Sequence, residues 1–171
     1  DSAGQAIAMR LEGEVRGLAI ASRNASDGQA LIDTAEGALR EAHNVLIRMR
    51  ELAVQAQNGT LQTTDKNALG VEFEALEAEI TRISDNTTWG GIKILDGTQS
   101  GSGISFRVGA SEDITHTILN MAASAALGFS TTHTVADAST IAVVDGAIAK
   151  ISEERAKLGA VSNRLDSTVT N

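Results

Sequence analysis

Cysteine, proline and tyrosine are absent from this 171-residue chain, and aromatic side chains make up only 2% of it, with a single tryptophan. Without cysteine there is no disulfide framework, thiolate metal site or cysteine nucleophile, and the redox compartment is left open. With so few rings, the interior has to be aliphatic and rich in alanine. Apolar runs are also short. None approaches the ~20 residues needed to cross a bilayer, and charged residues interrupt DSAGQAIAMRLEGEV where a signal peptide would be apolar. Basic residues are the minority, 14 against 22 acidic, for a formal net charge of −8. Such a chain has no general attraction for nucleic-acid phosphates or an anionic membrane surface, so neither nucleic-acid binding nor membrane insertion is expected.

What the chain does have is period. Leu11, Leu18, Ile32, Leu39 and Leu46 recur at seven-residue spacing, with Ala25 and Ala53 in the same phase. A second row holds Ala21, Gly28, Ala35, Ala42, Met49 and Ala56. An apolar seam of period 3.5 sustained for about six heptads predicts one helix, over about 2–57, built to lie along other helices. At ~1.5 Å per residue it would extend roughly 80 Å, which makes the molecule a rod. Gly13, Gly17, Gly28 and Gly37 each weaken such a helix by ~1 kcal/mol relative to alanine. Gly28 lies in the alanine row, where close approach of a neighbour accounts for it; the other three have no such account.

A third row changes character along the helix, from Arg10, Gly17 and Asn24 to Leu31, Ala38, Val45 and Leu52. The apolar stripe thus widens in the second half, as expected when one partner helix becomes two. Thr63-Thr64-Asp65 is a capping signal for that second partner, read as a helix over about 64–86 with Leu69, Phe73, Leu76, Ile80 and Ile83 inward. Short strand candidates follow at Ile92–Leu95, Ile104–Val108 and Ile114–Leu119, in a β-hairpin region of about 89–119. The segment from Phe129 to Thr134 reads as a loop. A last helix over about 136–171 places Val144, Ile151, Leu158 and Leu165 in one seven-spaced row. The fold class expected is mainly α: an elongated antiparallel bundle of three long helices with a small β-hairpin region, as one domain over 1–171. Helical pattern persists to both ends, so the expectation is a piece of a longer rod.

Catalytic constellations are weak. His43, His116 and His133 show no metal-ligand spacing. Gly-Ser-Gly around Ser102 lacks the following Lys-Ser/Thr of a phosphate loop. Paired acids such as Glu153 and Glu154 are most simply a solvated helix face. The N-x-S/T strings at Asn24, Asn58 and Asn86 read as chance occurrences, with Asn24 on a packed helix. No cofactor, metal or enzymatic activity is expected.

Several strings are more specific than any heptad. RGLAIASRNASDGQALIDTAEGAL (16–39), IRMRELAVQAQNGT (47–60), TWGGIKILDGT (88–98), FRVGA (106–110) and ERAKLGAVSNRLDSTVTN (154–171) together resemble bacterial flagellin, in order and over nearly the whole chain. The resemblance implies the inner rod domain of a structural filament subunit, with the terminal polymerisation segments and variable outer domains missing. It implies an extracellular location, on the flagellum or cell surface, and other flagellin subunits as partners. Helix packing would stiffen each rod, and repeated heterologous contacts between rods would form an open helix. Trp89-Gly90-Gly91 replaces the usual Phe-Asn-Gly, and Ile47 replaces the usual Gln.

The same resemblance marks Arg48, Leu52 and Glu72 as positions of subunit contact and of recognition by the vertebrate Toll-like receptor for flagellin. Taken without the resemblance, Arg48, Arg50 and Glu51 are an ion-pairing helix surface, each exposed pair contributing under ~1 kcal/mol. The alternative function is a flagellin-homologue surface adhesin that binds polysaccharide or host material. With Trp89 as the single indole, few stacking platforms exist for it.

Overall fold

A computed structural model describes residues 2–122, 127–129 and 134–170. Three helices dominate: α1 (Ser2–Ala56), α2 (Thr63–Asn86) and α3 (Thr140–Thr170). Between α2 and α3 lie two separate antiparallel hairpins, β1 (Thr88–Trp89) with β2 (Ile92–Lys93), and β3 (Ile104–Arg107) with β4 (Asp113–His116). Both later helices run antiparallel to α1. For α3 the ion pairs show this directly, since Arg50 meets Asp145 and Glu36 meets Arg155, while the short connection from Ala56 to Thr63 turns α2 back along α1, where Glu72 meets Arg48.

The heptad rows become the core. Ala25, Ala35, Leu39, Ala42, Leu46, Met49, Leu52, Ala53 and Ala56 are fully buried on α1, and Val144, Ala147, Ile151, Leu158 and Leu165 are fully buried on α3. Gly28 earns its place in the alanine row: a Cβ there would stand 2.9 Å from Phe106 and 3.0 Å from Leu165. Around Gly13, Gly17 and Gly37 the space is open.

The first part of the seam differs from expectation. Burial on α1 begins at Ala21, whereas Leu11 and Leu18 are exposed, together with Ile7, Met9, Val15 and Ile20. The period is present there, but among the described residues no helix covers it.

Helix starts differ for local reasons. The N-cap of α2 is Gln62 rather than a threonine, and Asp65 in the first turn closes a capping box, its carboxylate accepting the Gln62 N–H at 3.1 Å. The last helix begins at Thr140 instead of near 136. Asp137 accepts the Thr134 N–H at 2.7 Å and Thr140 donates its hydroxyl to the Thr134 carbonyl at 2.6 Å. These side-chain bonds form a turn that competes with an earlier helix start.

Trp89 pairs with Ile92 across Gly90-Gly91, whose φ values of 57° and 83° supply the two left-handed residues that a tight I′ hairpin turn requires. Ile94 and Leu95 leave the ladder and enter the core. The Leu95 carbonyl accepts from Ser84 Oγ and from the Met121 N–H, which fastens this segment to α2. In β3–β4 the register pairs Ile104 with His116 and Phe106 with Ile114, so these four share the inner face. Phe129 is buried edge-on against Phe73, with ring centroids 6.3 Å apart. The middle of the expected Phe129–Thr134 loop, His133 included, lies outside the described residues.

Candidate contact surface

Arg48 sits on the outer side of α1 because its neighbours Leu46, Met49 and Leu52 occupy the seam. Its guanidinium reaches across to α2, donating from Nε and Nη2 to Glu72 Oε1 at 2.9 and 2.8 Å, and from Nη1 to Glu51 Oε2 at 3.0 Å. All three side chains are about half exposed. The hydrogen bonds to Glu72, then those to Glu51, hold Arg48 above the usual guanidinium value. Exposed, solvent-screened pairs of this kind contribute little to stability, so their partners can be exchanged for others at little cost.

Of the three positions singled out by resemblance, two therefore meet at the surface and one does not. Leu52 is fully buried in the bundle core. Its apolar side chain supports the α1–α2 junction from beneath and offers no outward contact. The apolar groups that do lie outward near this surface are Ile47 and Val54 on α1 and Val71 on α2.

A second exposed region occupies the first part of α1. There a groove of 640 Å³ forms between the helix and the tip of the β3–β4 hairpin, lined by Arg10, Gly13, Leu18, Asn24, Arg107 and Gly109, among others. Small residues on α1 open this groove, and Asn24 closes one end by donating to the Arg107 carbonyl at 2.9 Å. Exposed Leu11, Val15, Leu18 and Ile20 make this stretch the most apolar exposed part of the rod.

Three further side-chain links escaped the sequence reading. Arg50 pairs with Asp145 at 2.6 Å, and Gln57 donates to the Ala136 carbonyl at 2.9 Å. Glu154, expected on a solvated face, is instead 4% exposed and accepts from His116 and the Leu119 N–H. Its seven-spaced phase beside Ile151 and Leu158 was the available signal. No group of three or more His, Cys, Asp and Glu that could hold a metal occurs among the described residues. No described helix is long and apolar enough to cross a membrane.

Comparison with known proteins accounts for both ends of this arrangement. Residues 1–100 match the family model of the bacterial flagellin N-terminal helical region, and residues 141–171 match that of the bacterial flagellin C-terminal helical region. The chain is 43% identical to a flagellin of Halalkalibacterium halodurans and 39% identical to one of Bacillus subtilis, over its whole length in each case. It spans 64% of the first protein and 68% of the second. The crystal structure of Bacillus cereus flagellin superposes with a TM-score of 0.76 at 34% identity, covering 88% of each chain.

Proposed function

Because this chain belongs to the bacterial flagellin family, we propose that it serves as a structural subunit of the flagellar filament, outside the cell, and works in motility without catalysis. The observation that carries the reading is the order of the match. Both flagellin helical regions are present, and they fold back on each other as one antiparallel rod through α1 and α3. Residues 1–171 act in this reading as a single rod domain whose stiffness comes from the buried Leu/Ala seam.

Rods of this kind assemble through lateral and axial contacts, and two surfaces suit that task. The Arg48–Glu72 patch can exchange an exposed ion pair for bonds to a neighbouring subunit. The exposed apolar stretch of α1 loses unfavourable hydration when another flagellin subunit covers it. Arg48 and Glu72 also form the surface that we assign, by family resemblance, to the Toll-like receptor for flagellin; Leu52 acts there only as support. A polysaccharide-binding adhesin draws no support from the described residues, where Trp89 lies half-buried in a two-residue strand.

Electron microscopy of the parent cells with an antibody to this chain tests the assignment. Label along the length of filaments is expected. Label confined to the cell envelope, with unlabelled filaments, would overturn it. For the receptor surface, a reporter-cell assay comparing the protein with its Arg48→Ala variant is expected to show reduced activation; equal activation removes Arg48 from that role.

A further inference from the structure

Asn58 lies in the turn that joins α1 to α2, and it is the one asparagine of the chain that a glycine follows. Asn58, Gly59 and Thr60 are all exposed. The side-chain oxygen of Asn58 accepts twice, from the Thr60 N–H at 3.1 Å and from the Thr60 hydroxyl at 3.0 Å. Main-chain bonds fix the residue on both sides: its N–H donates to the Gln55 carbonyl at 3.0 Å, and its carbonyl accepts the Leu61 N–H at 3.2 Å. The Gly59 N–H is left over. Among the described residues nothing accepts it, and nothing lies within 4 Å of the position that a Cβ would take on Gly59.

The other described asparagines lack such a neighbour. Asn24, Asn44, Asn67 and Asn163 lie within helices, where the following N–H closes a helical hydrogen bond. Asn86 and Asn120 precede Thr87 and Met121, whose N–H groups donate to the Ile83 and Leu95 carbonyls at 3.1 and 2.8 Å. A backbone nitrogen held in that way is not available to the preceding side chain, whereas the nitrogen of Gly59 is.

These features meet the needs of an intramolecular acyl transfer. Attack of the Gly59 nitrogen on Cγ of Asn58 closes a five-membered ring, so the reacting groups need no encounter through solution. As the N–Cγ bond forms, the nitrogen gives up its proton and negative charge develops on the side-chain oxygen, where the two Thr60 donors are already in place. The Cγ–Nδ2 bond then breaks, and ammonia leaves with that proton. Water from the surrounding solvent opens the cyclic imide at either of its two carbonyls, giving aspartate or an isoaspartyl link. Nothing is oxidised or reduced.

A second turn shows how the aspartate product is received. Asp96-Gly97-Thr98 repeats the arrangement, with Asp96 Oδ1 accepting from the Thr98 N–H at 3.0 Å and from the Thr98 hydroxyl at 2.7 Å. These bonds, the hydroxyl's first, hold the Asp96 carboxyl below its usual value. An aspartate at position 58 is therefore suited to its turn. Asp96 does not share the reactivity of Asn58, because an ionised carboxylate is a poor electrophile and Asn120 crowds Gly97.

We propose that Asn58 is a self-modifying site: in the folded protein the Gly59 nitrogen displaces the side-chain amide, Thr60 speeds the step by stabilising the oxyanion, and the α1–α2 turn gains a negative charge with age. The test incubates the whole chain at pH 8 and follows every asparagine by peptide mass mapping, with circular dichroism to show that the helices persist. Conversion at Asn58 is expected to run about tenfold or more faster than at any other asparagine, because glycine neither shields its nitrogen nor restricts the backbone.

Gly59→Ala places its Cβ in open space and should slow conversion roughly tenfold, for the same reason in reverse. Thr60→Val keeps the N–H and the shape but loses the hydroxyl. It should slow conversion about fivefold in the folded chain, the factor set by one hydrogen bond of ordinary net strength, and leave the rate in urea unchanged. Conversion of Asn58 no faster than that of the other asparagines, conversion confined to the urea-unfolded chain, an unslowed Gly59→Ala variant, or a folded Thr60→Val variant that reacts as fast as the parent would overturn the proposal.

Discussion

Gly28 of α1 lies so close under the Phe106 ring of β3 that a Cβ added to it would come within 2.9 Å of Phe106 Cδ1, with Leu165 of α3 only 3.0 Å away. Three elements thus converge on one missing side chain. Replacing Gly28 by Ala sets a helix-propensity gain of ~1 kcal/mol against an overpacking cost of about 1–3 kcal/mol. The net outcome expected is a lower thermal midpoint and displaced Phe106 resonances. Gly37→Ala, with nothing within 4 Å of the new Cβ, should raise stability by about 0.5–1 kcal/mol. Thermal unfolding by circular dichroism compares the two; midpoints that move in the same direction would contradict the packing account of Gly28.

Leu39→Asp should unfold or severely destabilise the bundle, whereas Glu74→Ala should leave it nearly unchanged. Leu39 is completely buried in the seam, while Glu74 is exposed on α2. A carboxylate forced into that seam without a partner costs several kcal/mol, comparable with the stability of a small domain. Denaturant midpoints of the purified variants decide the matter, and similar values would refute the phase assigned to α1.

Much of the fold could be read in the seven-spaced rows, because a seam of period 3.5 constrains which face of a helix is covered. Ala25 to Ala56 follow it residue by residue. Leu11 and Leu18 carry the same period yet are exposed, since periodicity says that a face is apolar without saying where its partner is. The hairpins were harder. Two-residue strands such as Thr88–Trp89 are too short to show alternation, and Ile94-Leu95 was apolar enough to read as strand while its carbonyl bonds to Ser84 and Met121 direct it into the core.

The sites divide in a similar way. Arg48 and Glu72 were marked by resemblance, and antiparallel α1 and α2 bring them within 2.8 Å. Leu52 was marked with them, yet its position in the third row already pointed inward, and that is where it lies. Glu154 was misplaced because acidic residues usually face solvent, and the donor that rewards its burial stands 38 residues away in sequence.

Glu77 introduces a small pH dependence. Partial burial, with Glu74 nearby as the lesser cause, raises its carboxyl above the ordinary value of 4.5. The folded state then binds this proton more tightly than the unfolded state, so stability falls as pH rises from the unfolded value through the folded one. Glu77→Gln should therefore be slightly more stable than the parent at pH 7, by well under ~1 kcal/mol after solvent screening, and should lose that advantage below about pH 4. Urea midpoints at the two pH values test the sign; an advantage for the variant that is confined to low pH would show that burial does not dominate at Glu77.

Arg48→Ala should leave the fold intact and weaken whatever binds the outer surface of α1 and α2. The guanidinium is about half exposed, and its bonds to Glu72 and Glu51 are solvent-screened surface bonds whose loss costs the fold little. Leu46, Met49 and Leu52, which hold the helix in place, are untouched by the change. A planar guanidinium can, however, direct several hydrogen bonds to a partner's carbonyl and carboxylate groups, and truncating such an arginine at an interface can cost ~2 kcal/mol or more. In the full-length protein the expected result is unchanged helicity with less stable filaments, reduced receptor activation, or both. Loss of helicity together with these activities would make Arg48 a structural residue, and unchanged filaments with unchanged receptor activation would remove this patch from both interfaces.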